Sequence, residues 1–282
     1  MSTPFTDLVG CRLPLQLAAM GGVGTTDLAA AVAEAGGLGM VRDRAFIPRE
    51  GVCGTNFLIP FVPPHDQVAQ VAAEAGIVEF FYGDPDASLV DVVHAEDALA
   101  GWQVGSADEA RAAADSGCDY VVAQGTEAGG HVRGTQHLDE VLSEVLEAVD
   151  VPVVAAGGVA SAERFADVMR RGADAVRVGT RFLACHESGA HPQYVAALVA
   201  AQSGDETVLT EWFGDGWENA PHRVLKHALE AAEQSGWRKP NPPTLETERD
   251  PSDMAMYAGS AVGEITRVEP AAAAVADLLR LL

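Results

Sequence analysis

The residues of this chain best suited to chemistry gather in short loops that follow apolar runs. In residues 123–134, AQGTEAGGHVRG, a β-branched run stops at Gln124, and a glycine-rich loop then places His131 two residues before Arg133. Imidazole ordinarily titrates near pH 6.5, so His131 is the candidate general acid or base; the alternative is a loop histidine that only caps a carbonyl. Gly157-Gly158 and Gly179-Thr180 each end an apolar run, and a helical pattern opens at Ser161. Backbone N–H groups left bare by glycine beside a helix start suit a phosphate, although glycines also end strands for backbone reasons. Asn56, Gln103 and Gln124 stand at the ends of other apolar runs, near the backbone of Ala19, Met20 and Gly21. Amides both donate and accept, which suits a planar heteroaromatic ring better than a metal. Gln124 could instead satisfy strand-end backbone, and Arg133 could be a solvated charge. No metal site is expected: HESGAH (186–191) lacks the HExxH spacing, and GxSxG and the P-loop are absent.

Something must position these loops on one face. The chain repeats a phrase of short apolar run, small or polar loop, and alanine-rich helical pattern closing on Gly. Strands are predicted at 13–20, 38–41, 54–60, 77–83, 99–105, 120–125, 151–158 and 175–180. Helical patterns such as 26–36, 106–117 and 161–172 open on Ser or Thr. Strands buried on both faces and separated by helices pair in parallel through right-handed crossovers. Eight such units close into an α/β fold of the (β/α)₈ TIM barrel type, whose loops share the C-terminal face; a doubly wound open sheet is the competing fold. The segment between Met40 and Thr55, broken by Pro48 and Gly51, is too short for a full helix. The expected organisation is a barrel from 1–205 plus 255–282, with a C-terminal helical extension, residues 206–254, covering one barrel end. His65, His94, His137, His222 and His227 fall in helical patterns and read as surface or packing residues.

Composition narrows the function classes. A formal charge of −23 repels nucleic acid and anionic membranes, and no apolar run approaches the roughly 20 residues that span a bilayer. With no signal-peptide pattern, a cytoplasmic location is the default. Cys11, Cys53, Cys118 and Cys185 lack CxxC spacing and read as reduced packing residues. The expected partner is a small-molecule substrate. Apolar faces of the tail and of the missing helix would also suit a second subunit in a homo-oligomer.

At this point AQGTEAGGHVRG (123–134), VPVVAAGGVASAERFADVMRRGADAVRVGTRFLA (151–184), PLQLAAMGGVGTTDLAAAVAEAGGLG (14–39) and MYAGSAVGEI (256–265) together resemble the FMN-dependent nitronate monooxygenases, formerly called 2-nitropropane dioxygenases. The resemblance implies that the FMN phosphate rests on Gly157, Gly158, Gly179 and Thr180. It also implies that Asn56, Gln103, Gln124 and Gly129 contact the ribityl chain and isoalloxazine, near Ala19, Met20 and Gly21. His131 is then the catalytic residue, and alkyl nitronates are oxidised with O₂ to a carbonyl compound and nitrite. The same loops resemble FMN-dependent enoyl-thioester reductases that use NAD(P)H. From the residues alone, a phosphosugar isomerase or lyase on the same barrel remains open. The chain departs from the family at Ala19, where Pro is usual, near Arg177, where Gln or a similar polar residue is usual, at Ser260, and in the shortened segment after the second strand.

Overall fold

A computed structural model describes residues 2–214, 217, 219–238, 243–245 and 254–282. Eight parallel strands close a barrel: β1 (Leu15–Leu17), β2 (Leu38–Arg42), β3 (Val52–Leu58), β4 (Ile77–Phe81), β5 (Leu99–Val104), β6 (Tyr120–Gln124), β8 (Val153–Ala156) and β9 (Ala175–Val178). Each falls on one of the eight predicted runs, and the fold is the expected TIM barrel. The seam joins β9 to β1, with Gln16 opposite Arg177. The two-residue strand β7 (Gly130–His131) stands outside the barrel, within the loop that follows β6.

Helices α2 (Thr26–Ala35), α3 (His65–Ala75), α4 (Ala87–His94), α5 (Ala107–Asp115), α6 (Leu138–Ala148) and α7 (Ala162–Arg170) form most of the outer layer. No helix connects β2 to β3, as the length of that segment requires. After β9 only the short α8 (Thr180–Leu183) follows directly. The outer position between α7 and α2 is filled by α11 (Ala271–Leu278), which packs on both. The buried pairing of Arg181 with Glu269 ties α8 to the approach to α11. At the opposite end of the barrel, α1 (Pro4–Val9) acts as a plug. Its Phe5 meets the Tyr120 ring edge-on at 5.4 Å, and Phe5 and Val9 join Leu38, Met40, Ile77, Val122 and Val154 in one cluster.

The caps explain where helices begin. Ser106 accepts the Glu109 N–H at 3.2 Å, and the Glu109 carboxylate accepts the Gly105 N–H at 2.8 Å, so two backbone donors at the start of α5 are satisfied. Ser106→Ala is expected to lower stability by about 1 kcal/mol, read as a midpoint shift in urea at unchanged slope. No shift would remove this cap from the fold's support.

The stretch after α9 (Pro192–Ala200) contains more than helix. Strands β10 (Thr207–Thr210) and β11 (His222–Leu225) precede α10 (Lys226–Ser235), and β11 lies between β10 and β7 in an antiparallel sheet. His222 is therefore a strand residue, correcting its helical reading. The proline-rich stretch 239–251 lies largely outside the described residues. All four cysteines are free and buried, and burial pushes their thiols up to about 11 for Cys11 and about 12 for Cys53, Cys118 and Cys185. Among the described residues no helix is long and apolar enough to cross a membrane.

Candidate active site

The C-terminal ends of the barrel strands surround a cavity of about 280 Å³. All twelve residues singled out from the sequence line it. Ala19, Met20 and Gly21 arrive from β1, Asn56 from β3, Gln103 from β5 and Gln124 from β6. Gly129 and His131 come from the loop after β6, Gly157 and Gly158 from the end of β8, and Gly179 and Thr180 from the end of β9.

Backbone passes backbone closely in the glycine wall. A β-carbon on Gly129 would lie 2.6 Å from the Gly259 nitrogen and 2.8 Å from the Ala258 carbonyl carbon. The strap 256–260 is fastened there: Gly259 N–H donates to Thr180 Oγ1 at 3.0 Å, and Ser260 N–H donates to the Glu127 carbonyl at 2.9 Å. Gly158 has φ +65°, a left-handed conformation that favours glycine.

Polar side chains floor the cavity. Asn56 Nδ2 donates to Glu79 Oε1 at 2.9 Å, and Arg177 Nη1 donates to Gln103 Oε1. Among the described residues, no hydrogen bond reaches Asn56 Oδ1 or leaves Gln103 Nε2. Gln124 is different: its Nε2 donates to the His131 carbonyl at 3.0 Å and its Oε1 accepts the Arg133 N–H at 3.3 Å. Both ends hold the backbone of the histidine loop. Arg133 itself pairs with Glu109 and Asp84 and does not line the cavity.

His131 stands among rings. It stacks on Trp217 with centroids 4.0 Å apart, and Tyr82, His222 and Tyr257 lie 5.2–5.8 Å away. Burial, then neighbouring His222 and Arg42, lower its pKa to about 3, so the imidazole is neutral near pH 7. His222 is also held neutral, chiefly by burial, with Nδ1 directed at the Ala220 carbonyl and Nε2 accepting from Phe213 N–H.

The nitronate monooxygenase family model matches residues 59–280, most of the chain. The chain belongs to the nitronate monooxygenase family. Members of this family are flavin-dependent oxidoreductases, and this protein is an enzyme of that kind. It is 33% identical, over 84% of its length and 69% of the relative's, to (3aS,4S,5R,7aS)-5-hydroxy-7a-methyl-1-oxo-octahydro-1H-indene-4-carboxyl-CoA dehydrogenase of Rhodococcus jostii. Among solved structures it is similar to FabK from Thermotoga maritima, with a TM-score of 0.83, 28% identity, and 99% and 96% of the two chains covered. It is also similar to a nitroalkane oxidase from Streptomyces ansochromogenes, with a TM-score of 0.77, 27% identity, and 99% and 97% covered.

In this nitronate monooxygenase family member, sequence reasoning missed Arg42, Trp217 and Tyr257, which also line the cavity. Tyr257 sits in the quoted MYAGS motif, so its signal was present; Trp217 carried none, because one of three tryptophans in the tail reads as packing. Two neutral histidines, His222 buried and His131 half-buried, also predict acid lability. In the unfolded chain both take up protons below about pH 6.5, whereas folded His131 resists protonation down to about 3. The unfolded state therefore binds more protons across that window, and stability falls as pH drops from about 6.5 toward 3. Thermal melts at pH 7.5 and 4.5 should show the drop, reduced in His131→Phe; an equal drop in both proteins would clear His131 as a source.

Proposed function

We infer that this flavin enzyme uses FMN and oxidises alkyl nitronates with O₂. The cavity's chemistry supports a flavin at this place. Asn56 Oδ1 is a spare acceptor and Gln103 Nε2 a spare donor, which complements a ring edge of alternating carbonyls and N–H. Gly129, Gly157, Gly158, Gly179 and Thr180 would line the cofactor closely, the last four toward its phosphate. Ala19, Met20 and Gly21 would border the ring, and Gln124 would act through the loop it holds. The bound flavin would accept electrons from the substrate and deliver them to oxygen.

The observation that carries the substrate reading is His131 in the cavity wall, stacked on Trp217 and sharing the cavity with Arg42; its pKa is lowered to about 3. A base whose conjugate acid has a pKa of about 3 is poorly matched to removing a proton from a carbon beside a nitro group near pH 7. The fitting substrate arrives already ionised, as the nitronate. Neutral imidazole can donate one N–H to a nitronate oxygen, and Arg42 at the rim adds positive potential. The rings of Trp217, Tyr82 and Tyr257 around His131 suit a small apolar alkyl group.

A second reading, oxidoreduction of a thioester substrate with a nicotinamide nucleotide, is favoured by the likeness to the CoA dehydrogenase. The two separate in one experiment on purified protein supplied with FMN. Anaerobic propionate 3-nitronate should change the flavin absorbance bands by partial reduction, with nitrite released on admitting air, while NADPH leaves them unchanged. Bleaching by NADPH alone would favour the thioester reading, and no flavin uptake would sink both. His131→Ala should keep its flavin and, having lost one hydrogen-bond donor to the substrate oxygen, lose turnover by on the order of 10²-fold; unchanged turnover would remove His131 from the mechanism.

A further inference from the structure

Below the cavity floor the barrel holds a cation and an anion. Glu79 of β4 is fully buried and does not reach the cavity; Arg177 of β9, 6% exposed, does. Glu79 Oε2 accepts from Arg177 Nη2, from Gln16 Nε2 at 3.2 Å and from the Tyr120 hydroxyl at 3.3 Å, while Oε1 accepts from Asn56. Arg177 Nε and Nη2 donate to Gln16 Oε1 at 3.2 and 2.9 Å, and Nη1 donates to Gln103. Gly101, one strand over, makes room for the Tyr120 ring.

A carboxylate only accepts and a guanidinium only donates. The pair therefore leaves the amides no choice of orientation. Asn56 must turn its nitrogen down to Glu79 and its oxygen to the cavity; Gln103 must turn its oxygen to Arg177 and its nitrogen to the cavity. With a neutral amide at 177, Gln103 could flip. The pair is also a dipole whose positive end faces the cavity, in surroundings where such a field is weakly screened. Stability alone does not account for it, because apolar residues of similar volume commonly serve as well as a buried ion pair.

We propose that Arg177 and Glu79 are positioning residues for the flavin: they fix the donor–acceptor polarity of Asn56 and Gln103 and present positive charge to the cofactor, so that reduced flavin binds more tightly than it would over a neutral floor. This rests on the flavin occupying the cavity described above. Its consequence is a raised midpoint potential, which favours withdrawal of electrons from the substrate.

The test is the midpoint potential of the FMN-loaded full-length protein, by dye-equilibrated reduction, for wild type, E79Q/R177Q and R177K. In E79Q/R177Q the affinity for reduced over oxidised FMN should fall about tenfold, equivalent to about 30 mV for a two-electron couple. R177K keeps the charge but not the planar fork; its potential should stay near wild type while its oxidised absorbance bands shift. If E79Q/R177Q does not fold by circular dichroism, E79L/R177M replaces it with the same expectation. FMN uptake with an unchanged potential in the uncharged variant would overturn this inference alone. Failure of wild type to take up FMN would overturn it together with the reading it rests on.

Discussion

Gly129→Val is expected to give a folded protein that has lost its flavin. The new β-carbon would stand 2.6 Å from the Gly259 nitrogen and 3.0 Å from Thr180 Oγ1, both in the wall that the strap shares with the glycine loops. Neither neighbour yields easily, since Gly259 and Ser260 are each held by a backbone donor bond. The β6 loop or the strap must shift, and a pocket built from close backbone approaches loses its shape. Overpacking of this kind costs about 1–3 kcal/mol, which a barrel of this size should survive. FMN affinity, measured by fluorescence quenching, should fall at least about 100-fold, roughly 2.7 kcal/mol. Wild-type affinity in the variant would contradict the placement of the cofactor against this loop.

Glu79→Leu should be among the most destabilising single changes in the chain. It leaves the Arg177 guanidinium buried without its counter-charge and removes the acceptor used by Asn56, Gln16 and Tyr120. Removing one partner of a buried pair typically costs about 3–5 kcal/mol, against total stabilities of roughly 5–15 kcal/mol. Adding Arg177→Met should recover part of the loss, because no uncompensated charge then remains. Urea unfolding of the three proteins checks this; a double variant less stable than Glu79→Leu would mean the charge is not the source.

The barrel was legible because its signal is local. Each strand is a short apolar run bounded by small residues, and the helices between strands carry their own period, with side-chain caps at Thr25, Asp86 and Ser106, so runs such as YVVAQ and VVAA declare themselves without partners. The missing helix after β2 followed from the short segment and its interruption by Pro48 and Gly51. The small sheet was not legible: β7 has two residues, β11 carries His222 and Arg223, and their pairing joins positions some 90 residues apart. Hydrophobic periodicity says nothing about such contacts. The cavity-lining residues were legible as glycine and amide positions at strand ends, which the barrel's geometry collects on one face. The floor beneath them was only half visible. Arg177 stood out as a departure from the family pattern, but Glu79 in IVEFF gave no hint that the two would meet across the interior.

The seam between β9 and β1 has a bearing on how the protein is made. Arg177 reaches Gln16 across a sequence separation of 161 residues, so during synthesis the first strands wait exposed for their closing neighbour. At about 5–20 residues per second on the ribosome, that wait is roughly ten to thirty seconds, with strand edges open to other chains. α11, which completes the outer layer beside α2, comes later still. Gln16 sits at this seam and also belongs to the charged floor, so the floor and the closed barrel are completed in the same event. A nascent or partly folded chain has no finished cavity to fill.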